Sequence, residues 1–146
     1  MIILNPTGLG IRNDSAGHGD FGTSRGHRLH KGTDFECVPG QEIICPISGT
    51  FVRASYPYSA DLSYLGAMFR CSGITIKMWY FKPLPSLLPG QELVAGAPIG
   101  YAQDISKKYD GGMIPHIHMQ GSVNAIGQDR TKIIQVCIDL IPWVTL

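Results

Sequence analysis

Short apolar runs and turn residues alternate along most of this chain. From Gly32 onward, runs rich in isoleucine, valine, phenylalanine and tyrosine are each followed by proline, glycine or a polar loop. This spacing is typical of antiparallel strands joined by tight turns. The predicted strands span residues 33–37, 42–45, 49–54, 74–81, 91–94, 97–102, 114–120 and 136–140, with a polar and aromatic loop over residues 55–66. The pattern therefore predicts an all-β fold, a compact antiparallel sheet or sandwich.

Residues 1–29 show little hydrophobic periodicity. They are rich in glycine, asparagine, aspartate, serine and histidine, a composition that favours irregular structure. We predict an irregular lead-in over residues 1–29 that packs on the domain, and a domain over residues 30–146. The stretch from Gly17 to Gly22 has the glycine spacing of dinucleotide-binding loops, but no strand is predicted before it and no helix after it, so that function is excluded.

Length and charge narrow the class of protein. The 146 residues suffice for one domain with its own hydrophobic core. A formal net charge of +1 and a charged content of 16% provide no basic stripe. Nucleic acid is therefore not expected as a partner.

Neither a signal peptide nor a membrane span is predicted. The N-terminus lacks a basic segment followed by an apolar stretch and a small-residue cleavage site, so export would need another route or a leader that has been removed. The longest apolar run, residues 133–146, is interrupted by Gln135 and Asp139. It is shorter than the roughly 20 residues that a spanning helix needs, and we expect a closing strand.

The four cysteines show neither C-x-x-C spacing nor a dense framework, so zinc-thiolate sites are not expected. We predict buried free thiols. A disulfide, with three possible pairings, stays open if the protein is secreted. The residues are Cys37, Cys45, Cys71 and Cys137.

Two short histidine motifs place metal-binding side chains in strand-like segments. His116 and His118 lie two apart in a predicted strand, where alternate side chains project from the same face. His30 and Asp34 lie four apart, which puts both on one face of a strand or of a helix, and Gly32 between them favours the extended form. Either motif alone is common, and histidines that fall at these spacings by accident are then the simpler interpretation.

Taken together, the two motifs predict a zinc site. Two imidazoles and one carboxylate suit zinc and leave a fourth position for water, as in hydrolytic sites. The remaining histidine, His116, would act on that water as general base, which is hydrolysis without a covalent intermediate. We expect His18 and His27 to be exposed or to lie behind the ligands. No H-E-x-x-H motif occurs, which excludes a helix-borne zinc protease site.

Turn residues and metal motifs recur in the order found in a known family. The residues are His30-Lys31-Gly32-Thr33-Asp34-Phe35, Pro39-Gly40, Pro46, Gly49-Thr50, Pro89-Gly90-Gln91, Gly96, Ile99-Gly100 and Pro115-His116-Ile117-His118. In this order they resemble the first metal motif, the hairpin and the second metal motif of the lysostaphin and LytM type of zinc endopeptidases. The likeness runs from Phe21 to the C-terminus.

The resemblance implies that His30, Asp34 and His118 bind zinc and that His116 acts on the water. Members of this family cut peptide cross-links or bridges in bacterial cell walls, on a compact antiparallel β fold with a groove lined by loops. Stem or bridge peptides of peptidoglycan are therefore the implied partners, held largely through their backbone. The implied place of action is the cell wall, the periplasm or a phage particle.

One stretch, Lys77-Met78-Trp79-Tyr80-Phe81-Lys82-Pro83, departs from the family pattern. The family has a further histidine there that helps to stabilise the transition state, and Tyr80 occupies this position. A phenol can donate a hydrogen bond to an oxyanion but cannot carry a positive charge. We expect Tyr80 to be the oxyanion donor, and His18 or His27 could fold back in place of the absent histidine.

The same stretch resembles the leukocyte cell-derived chemotaxin branch, which keeps the zinc ligands on this fold and is regarded as a signalling protein without peptidase activity. The likeness extends to Gly19, Phe21, Arg25, Arg28 and residues 105–109. The N-terminal cysteine framework of that secreted branch is missing here.

The sequence thus predicts a zinc-dependent peptidoglycan endopeptidase. Two alternatives stay open. One is a zinc-stabilised binding or signalling module of the chemotaxin type, and the other is a structural tip of a phage or secretion assembly with protein partners. The loop over residues 55–66 could line the groove through Tyr56, Tyr58 and Tyr64, although loop aromatics more often pack on the domain.

Overall fold

Short strands form nearly all the regular secondary structure of the described part of the chain, as predicted. A computed structural model describes residues 2–109, 112–127 and 132–145. Within this part of the chain, the helical elements are two 3₁₀ turns, Ile105–Lys107 and Ile141–Trp143, and no helix is long and apolar enough to cross a membrane. The strands are β1 (Ile3–Leu4), β2 (Asn13–Asp14), β3 (Gly17–His18), β4 (Thr33–Glu36), β5 (Glu42–Ile44), β6 (Gly49–Ser55), β7 (Gly66–Cys71), β8 (Ile74–Trp79), β9 (Phe81–Pro83), β10 (Glu92–Leu93), β11 (Pro98–Ala102), β12 (His116–Ile126), β13 (Ile133–Ile138) and β14 (Val144–Thr145).

A seven-stranded antiparallel sheet organises the molecule. Its order is β10-β6-β7-β8-β12-β13, with β4 also paired to β12. The first four residues of β12 pair with β4, its last six pair with β13, and its other edge pairs with β8. Strand β12 therefore joins three other strands, and its middle residues, 118–119 and 121–123, have partners along both edges.

The alternation of side chains along β4, β8 and β12 separates a core face from a second face. Ile117 lies opposite Phe35 and Met119 lies opposite Met78, and these four side chains are almost completely buried. Burying an apolar side chain of this size contributes about 1.5–3 kcal/mol. The core therefore fixes the register of the three strands, and with it the residues that face the opposite way.

A second, three-stranded sheet of order β5-β11-β9 covers the core. Ile43, Ile99 and Phe81 are fully buried on it. The chain passes from the large sheet to this small one between β8 and β9, at Tyr80.

The lead-in is bound to the sheets at several points. Strand β1 pairs in parallel with β14, and β2 pairs with β3. The backbone N–H of Arg12 donates to the carbonyl of Asp34, and the N–H of Asp34 donates to the carbonyl of Gly19. The lead-in therefore runs along β4. The first residue of the predicted lead-in, Met1, and the last residue of the predicted domain, Leu146, lie outside the described residues.

The largest error of the sequence analysis is strand β7, which was not predicted. Its first four residues are all buried, so they show no alternation, and Gly66 and Ala67 are poor strand formers. Gly66 is required there, because a Cβ atom would come within 1.8 Å of the Met78 carbonyl oxygen. Strand β12 is also longer than predicted, since it continues through Gly121 and Ser122, which resemble turn residues.

All four cysteines are free, in agreement with the predicted thiols. Only Cys37 and Cys45 are buried; Cys71 and Cys137 are half-buried. The expectation of burial is therefore correct for one pair and wrong for the other: Cys71 is the last residue of the inner strand β7, and Cys137 lies on the edge strand β13.

Candidate functional site

The predicted metal ligands meet on the face of the large sheet that points away from the core. Asp34 on β4 lies directly opposite His118 on β12, and Trp79 on β8 lies opposite His118 on the other edge. His30 precedes β4 and reaches the same place. The register that buries Phe35 and Ile117 in the core thus brings these polar side chains together.

The three side chains form a compact donor cluster. His118 Nδ1 lies 2.9 Å from Asp34 Oδ1 and 3.2 Å from His30 Nε2, and His30 Nε2 lies 3.3 Å from Asp34 Oδ1. All three residues are exposed by 9% or less. The sequence-predicted ligand set therefore converges at one point.

Asp34 is the electrostatic centre of the cluster. Burial alone would raise the pKa of Asp34, but hydrogen bonds with His118 and His30 outweigh burial and hold that pKa well below its usual range. The Asp34 carboxylate is therefore ionised at neutral pH. A carboxylate beside two imidazoles is a donor set that suits a divalent metal.

Neighbouring contacts orient both histidines of the donor cluster. His30 Nδ1 lies 2.9 Å from the carbonyl oxygen of Asp20, so that nitrogen carries the hydrogen and Nε2 faces the cluster. The His118 ring stacks on Trp79 with ring centroids 5.1 Å apart, and Trp79 Nε1 donates to Ser55 Oγ. Gly32 leaves room for His118, since a Cβ atom there would lie 2.7 Å from its Nε2. Contacts of this kind fix ring orientation at metal sites.

His116 lies beside the cluster without belonging to it. Its Nδ1 donates to the carbonyl of Ile114, so Nε2 carries the lone pair, and Nε2 lies 3.7 Å from Asp34 Oδ2. Burial lowers the pKa of His116, against the opposing charge of Asp34. The imidazole is therefore neutral at neutral pH, the form that accepts a proton.

Arg12 is a site residue that the sequence analysis missed. Its Nε and Nη2 lie 3.2 and 3.1 Å from Asp34 Oδ2, and its Nη1 contacts Asp14 at 2.9 Å. The side chain is buried. No sequence signal identifies it, because Arg12 stands alone in an irregular stretch, 22 residues from its partner.

Tyr80 makes the corner between the two sheets. Its φ of 79° lies in the left-handed region, which is rare for residues other than glycine. Hydrogen bonds hold this corner, since the N–H of Tyr80 donates to the Leu65 carbonyl and the Tyr80 carbonyl accepts from Gln103. Its ring meets His116 edge to face at 5.3 Å, so the predicted oxyanion donor lies next to the predicted base.

The Tyr80 phenol belongs to a group of tyrosines. Tyr58 Oη lies 3.2 Å from Tyr80 Oη and 2.7 Å from Tyr109 Oη, while Tyr64 packs edge-on against Tyr58 and Tyr80. Burial raises the pKa of Tyr80 to about 12, so its phenol keeps its hydrogen at neutral pH. Of the three loop tyrosines considered in the sequence analysis, Tyr58 lines the cleft described next, and Tyr56 is exposed.

An open cleft of about 460 Å³ lies over the donor cluster. His30, Asp34, His116 and His118 form part of its lining, together with Tyr58, Tyr80 and Tyr109 and several basic residues from the lead-in. His18 and His27 are exposed and do not line it. The structure therefore places neither of them where it could replace the absent histidine.

The donor cluster fits a zinc ion. Donor atoms around a tetrahedral zinc with bonds of about 2.0–2.2 Å lie roughly 3.3–3.6 Å apart, close to the distances of 2.9–3.3 Å between these three atoms. One carboxylate and two imidazoles make three protein ligands, the number that catalytic zinc sites use, whereas structural zinc sites use four.

Comparison with known proteins identifies similar chains. No protein-family model matches. Mouse leukocyte cell-derived chemotaxin-2 is 27% identical over 111 residues, which cover 73% of this chain and 69% of the mouse protein.

Solved structures give the clearest likeness. The catalytic domain of the antimicrobial peptidase lysostaphin from Staphylococcus simulans superposes with a TM-score of 0.60 at 18% identity, covering 92% of this chain and 90% of that domain. The catalytic domain of the prophage-encoded protein EnpA from Enterococcus faecalis gives 0.59 at 13% identity, covering 91% and 92%. The chain therefore has the β-rich fold of the lysostaphin-type peptidases, and the resemblance predicted from its sequence is confirmed.

Proposed function

We propose that this protein is a zinc-dependent endopeptidase that cleaves peptide cross-links or bridges of peptidoglycan. The observation that carries the proposal is the convergence of His30, Asp34 and His118 under an open cleft, with His116 beside them. The fold shared with the catalytic domain of lysostaphin supports a peptidase activity.

His30, Asp34 and His118 would hold the metal ion. Zinc bound there supplies a Lewis acid that polarises a peptide carbonyl and makes water more acidic. The protein contributes fixed ligand orientations, because the Asp20 carbonyl holds His30, Trp79 stacks on His118 and Arg12 holds Asp34 Oδ2.

His116 and Tyr80 would handle the proton and the developing charge. The free Nε2 of His116 can accept the proton of the attacking water, because Nδ1 is committed to the Ile114 carbonyl. Tyr80 can donate its phenolic hydrogen to the oxyanion of the tetrahedral intermediate. The Tyr58 hydroxyl can donate its own hydrogen to the Tyr80 oxygen, which leaves the Tyr80 hydrogen free for the oxyanion. Both groups are neutral, so the site lacks the charged donor that a second histidine would provide.

The test is mass spectrometry of muropeptides released from purified cell walls by the zinc-loaded protein. We expect new peptide fragments with the intact protein and none with His118→Ala. The masses of the fragments would identify the bond. Walls of several chemical types that all stay intact, with zinc measured in the protein, would contradict the proposal.

A second candidate function is a zinc-stabilised binding module of the chemotaxin type. Two observations favour it, the tyrosine at position 80 and the 27% identity to mouse chemotaxin-2. The variant His116→Ala distinguishes between the two functions. This variant should keep zinc and lose turnover if the protein is an enzyme, whereas a binding module would keep the affinity for its partner.

A further inference from the structure

The cleft holds far more positive charge than the chain as a whole. The complete sequence has 12 lysines and arginines against 11 aspartates and glutamates, which is nearly balanced. The cleft, by contrast, is lined by five basic residues and one acidic residue, which are Arg12, Arg25, Arg28, Lys31, Lys77 and Asp34. An even distribution would give similar numbers of both signs, so the basic residues are concentrated over the donor cluster.

Most of this charge has no acidic partner in the described part of the chain. Arg12 is neutralised by Asp14 and Asp34 at 2.9 and 3.1 Å. Arg25 reaches Asp34 only at 3.8 Å, and Arg28, Lys31 and Lys77 form no ion pair with any described acidic group. We name the last four basic residues, Arg25, Arg28, Lys31 and Lys77, the cleft cations.

The cleft cations are accessible to a ligand from solution. Arg28 and Lys31 are exposed, and Arg25 and Lys77 are half-buried. These positive charges would attract an anion from a distance.

Arginine and lysine in such an arrangement recognise carboxylates, arginine through paired hydrogen bonds. We propose that the cleft selects peptides that carry carboxylate groups beside the bond to be cut, rather than uncharged bridges such as oligoglycine. This selection rests on the proposed function for the identity of the peptide as substrate. The binding of acidic peptides itself does not require turnover.

The experiment measures binding of two peptides to the zinc-loaded protein by calorimetry. One peptide is acetyl-pentaglycine amide, and the other is the same peptide with glutamate at the second and fourth positions. Arg28→Glu/Lys31→Glu is compared with Arg70→Glu/Lys82→Glu, whose two side chains are exposed outside the cleft. Both double variants lower the net charge by four, so the comparison separates local from overall charge. Zinc content and thermal unfolding are measured for each variant.

We expect the acidic peptide to bind the unchanged protein at least about tenfold more tightly than pentaglycine, with an affinity that falls as salt rises. Arg28→Glu/Lys31→Glu should remove that preference, and Arg70→Glu/Lys82→Glu should keep it. Equal weakening in both double variants, or equal binding of the two peptides, would overturn the proposal. Competition by inorganic phosphate at the same concentration as the acidic peptide would overturn the assignment to peptides.

Failure of this inference is distinguishable from failure of the proposed function. Wall digestion without a preference for acidic peptides would remove the inference and leave the endopeptidase. A preference for acidic peptides with no cleavage of any wall would remove the endopeptidase and leave the cleft as an acidic-peptide site of a binding module.

Discussion

The floor of the cleft and its walls are built in different ways. The floor consists of strands β4, β8 and β12, whose register is fixed by core side chains beneath them. The walls come from the lead-in and from the loop over residues 55–66, held by side-chain contacts such as Arg12 with Asp34 and Tyr58 with Tyr80. The floor therefore carries the groups whose positions chemistry requires, whereas the walls carry groups that can vary with the ligand.

The largest effect is expected from removing a floor ligand. His118→Ala should lose its zinc, and its turnover should fall at least about a thousandfold, because the metal stabilises the transition state by several kcal/mol. Elemental analysis and muropeptide release measure the two losses, and a chelator should reproduce the loss of turnover in the unchanged protein. His27→Ala, which removes an exposed histidine outside the cleft, serves as the control. Equal activity of the two variants would contradict the proposed role of His118 as a zinc ligand.

The contact that joins a wall to the floor should matter next. Arg12→Gln leaves the buried carboxylates of Asp34 and Asp14 without their charged partner, which should lower the free energy of unfolding by about 3–5 kcal/mol. Urea unfolding followed by tryptophan fluorescence measures this change. The exposed Arg70→Gln should stay within about 0.5 kcal/mol of the unchanged protein. Similar stabilities of both variants would mean that the lead-in does not support the floor.

Tyr80, at the corner where the floor strand β8 ends, also has a proposed chemical role. Tyr80→Phe keeps the ring and removes the hydroxyl, so kcat should fall roughly a hundredfold with little change in KM. The matched control is Tyr64→Phe, since Tyr64 packs on Tyr80 but its hydroxyl donates to the Asp104 carbonyl. If both variants lose the same activity, the phenol of Tyr80 acts through packing and not as an oxyanion donor.

The smallest effect concerns access of solvent to the sheets. Burial raises the pKa of Cys37 to about 12, and both Cys37 and Cys45 are shielded. Iodoacetamide at pH 8 should therefore label the half-buried Cys71 and Cys137 and spare the two buried thiols, with no change in zinc content. Peptide mapping measures the labelling. Rapid modification of Cys37 in the folded protein would show that the region after β4 opens readily.

The same contrast between floor and walls explains what the sequence could predict. His116 and His118 share a face because alternation along a strand is a local property, and the turn residues around His30 and Asp34 carry the family resemblance. The register of β4 against β12 confirms that these local patterns converge. The strand predictions rest on short apolar runs bounded by turn residues, which are also local features of the sequence.

The walls depend on contacts between distant residues that no local pattern encodes. Arg12 finds Asp34 through the path of an irregular lead-in, and Tyr58 meets Tyr80 through a loop. Strand β7 was missed because its first residues are buried on both faces and because it begins with Gly66. Glycine is needed at this position because the carbonyl oxygen of Met78 leaves no room for a Cβ atom. Contacts of this kind are set by the three-dimensional fold, and a local stretch of sequence does not predict them.

The pairing of β4 with β12 also ties the site to the folding of the chain. Asp34 and His118 are 84 residues apart in sequence, so the donor cluster forms only when a long loop closes, which is entropically costly and slow. An ion held by both strands would bind the closed chain alone and act as a reversible cross-link. By linkage, each tenfold rise in free zinc above its dissociation constant should then stabilise the fold by about 1.4 kcal/mol.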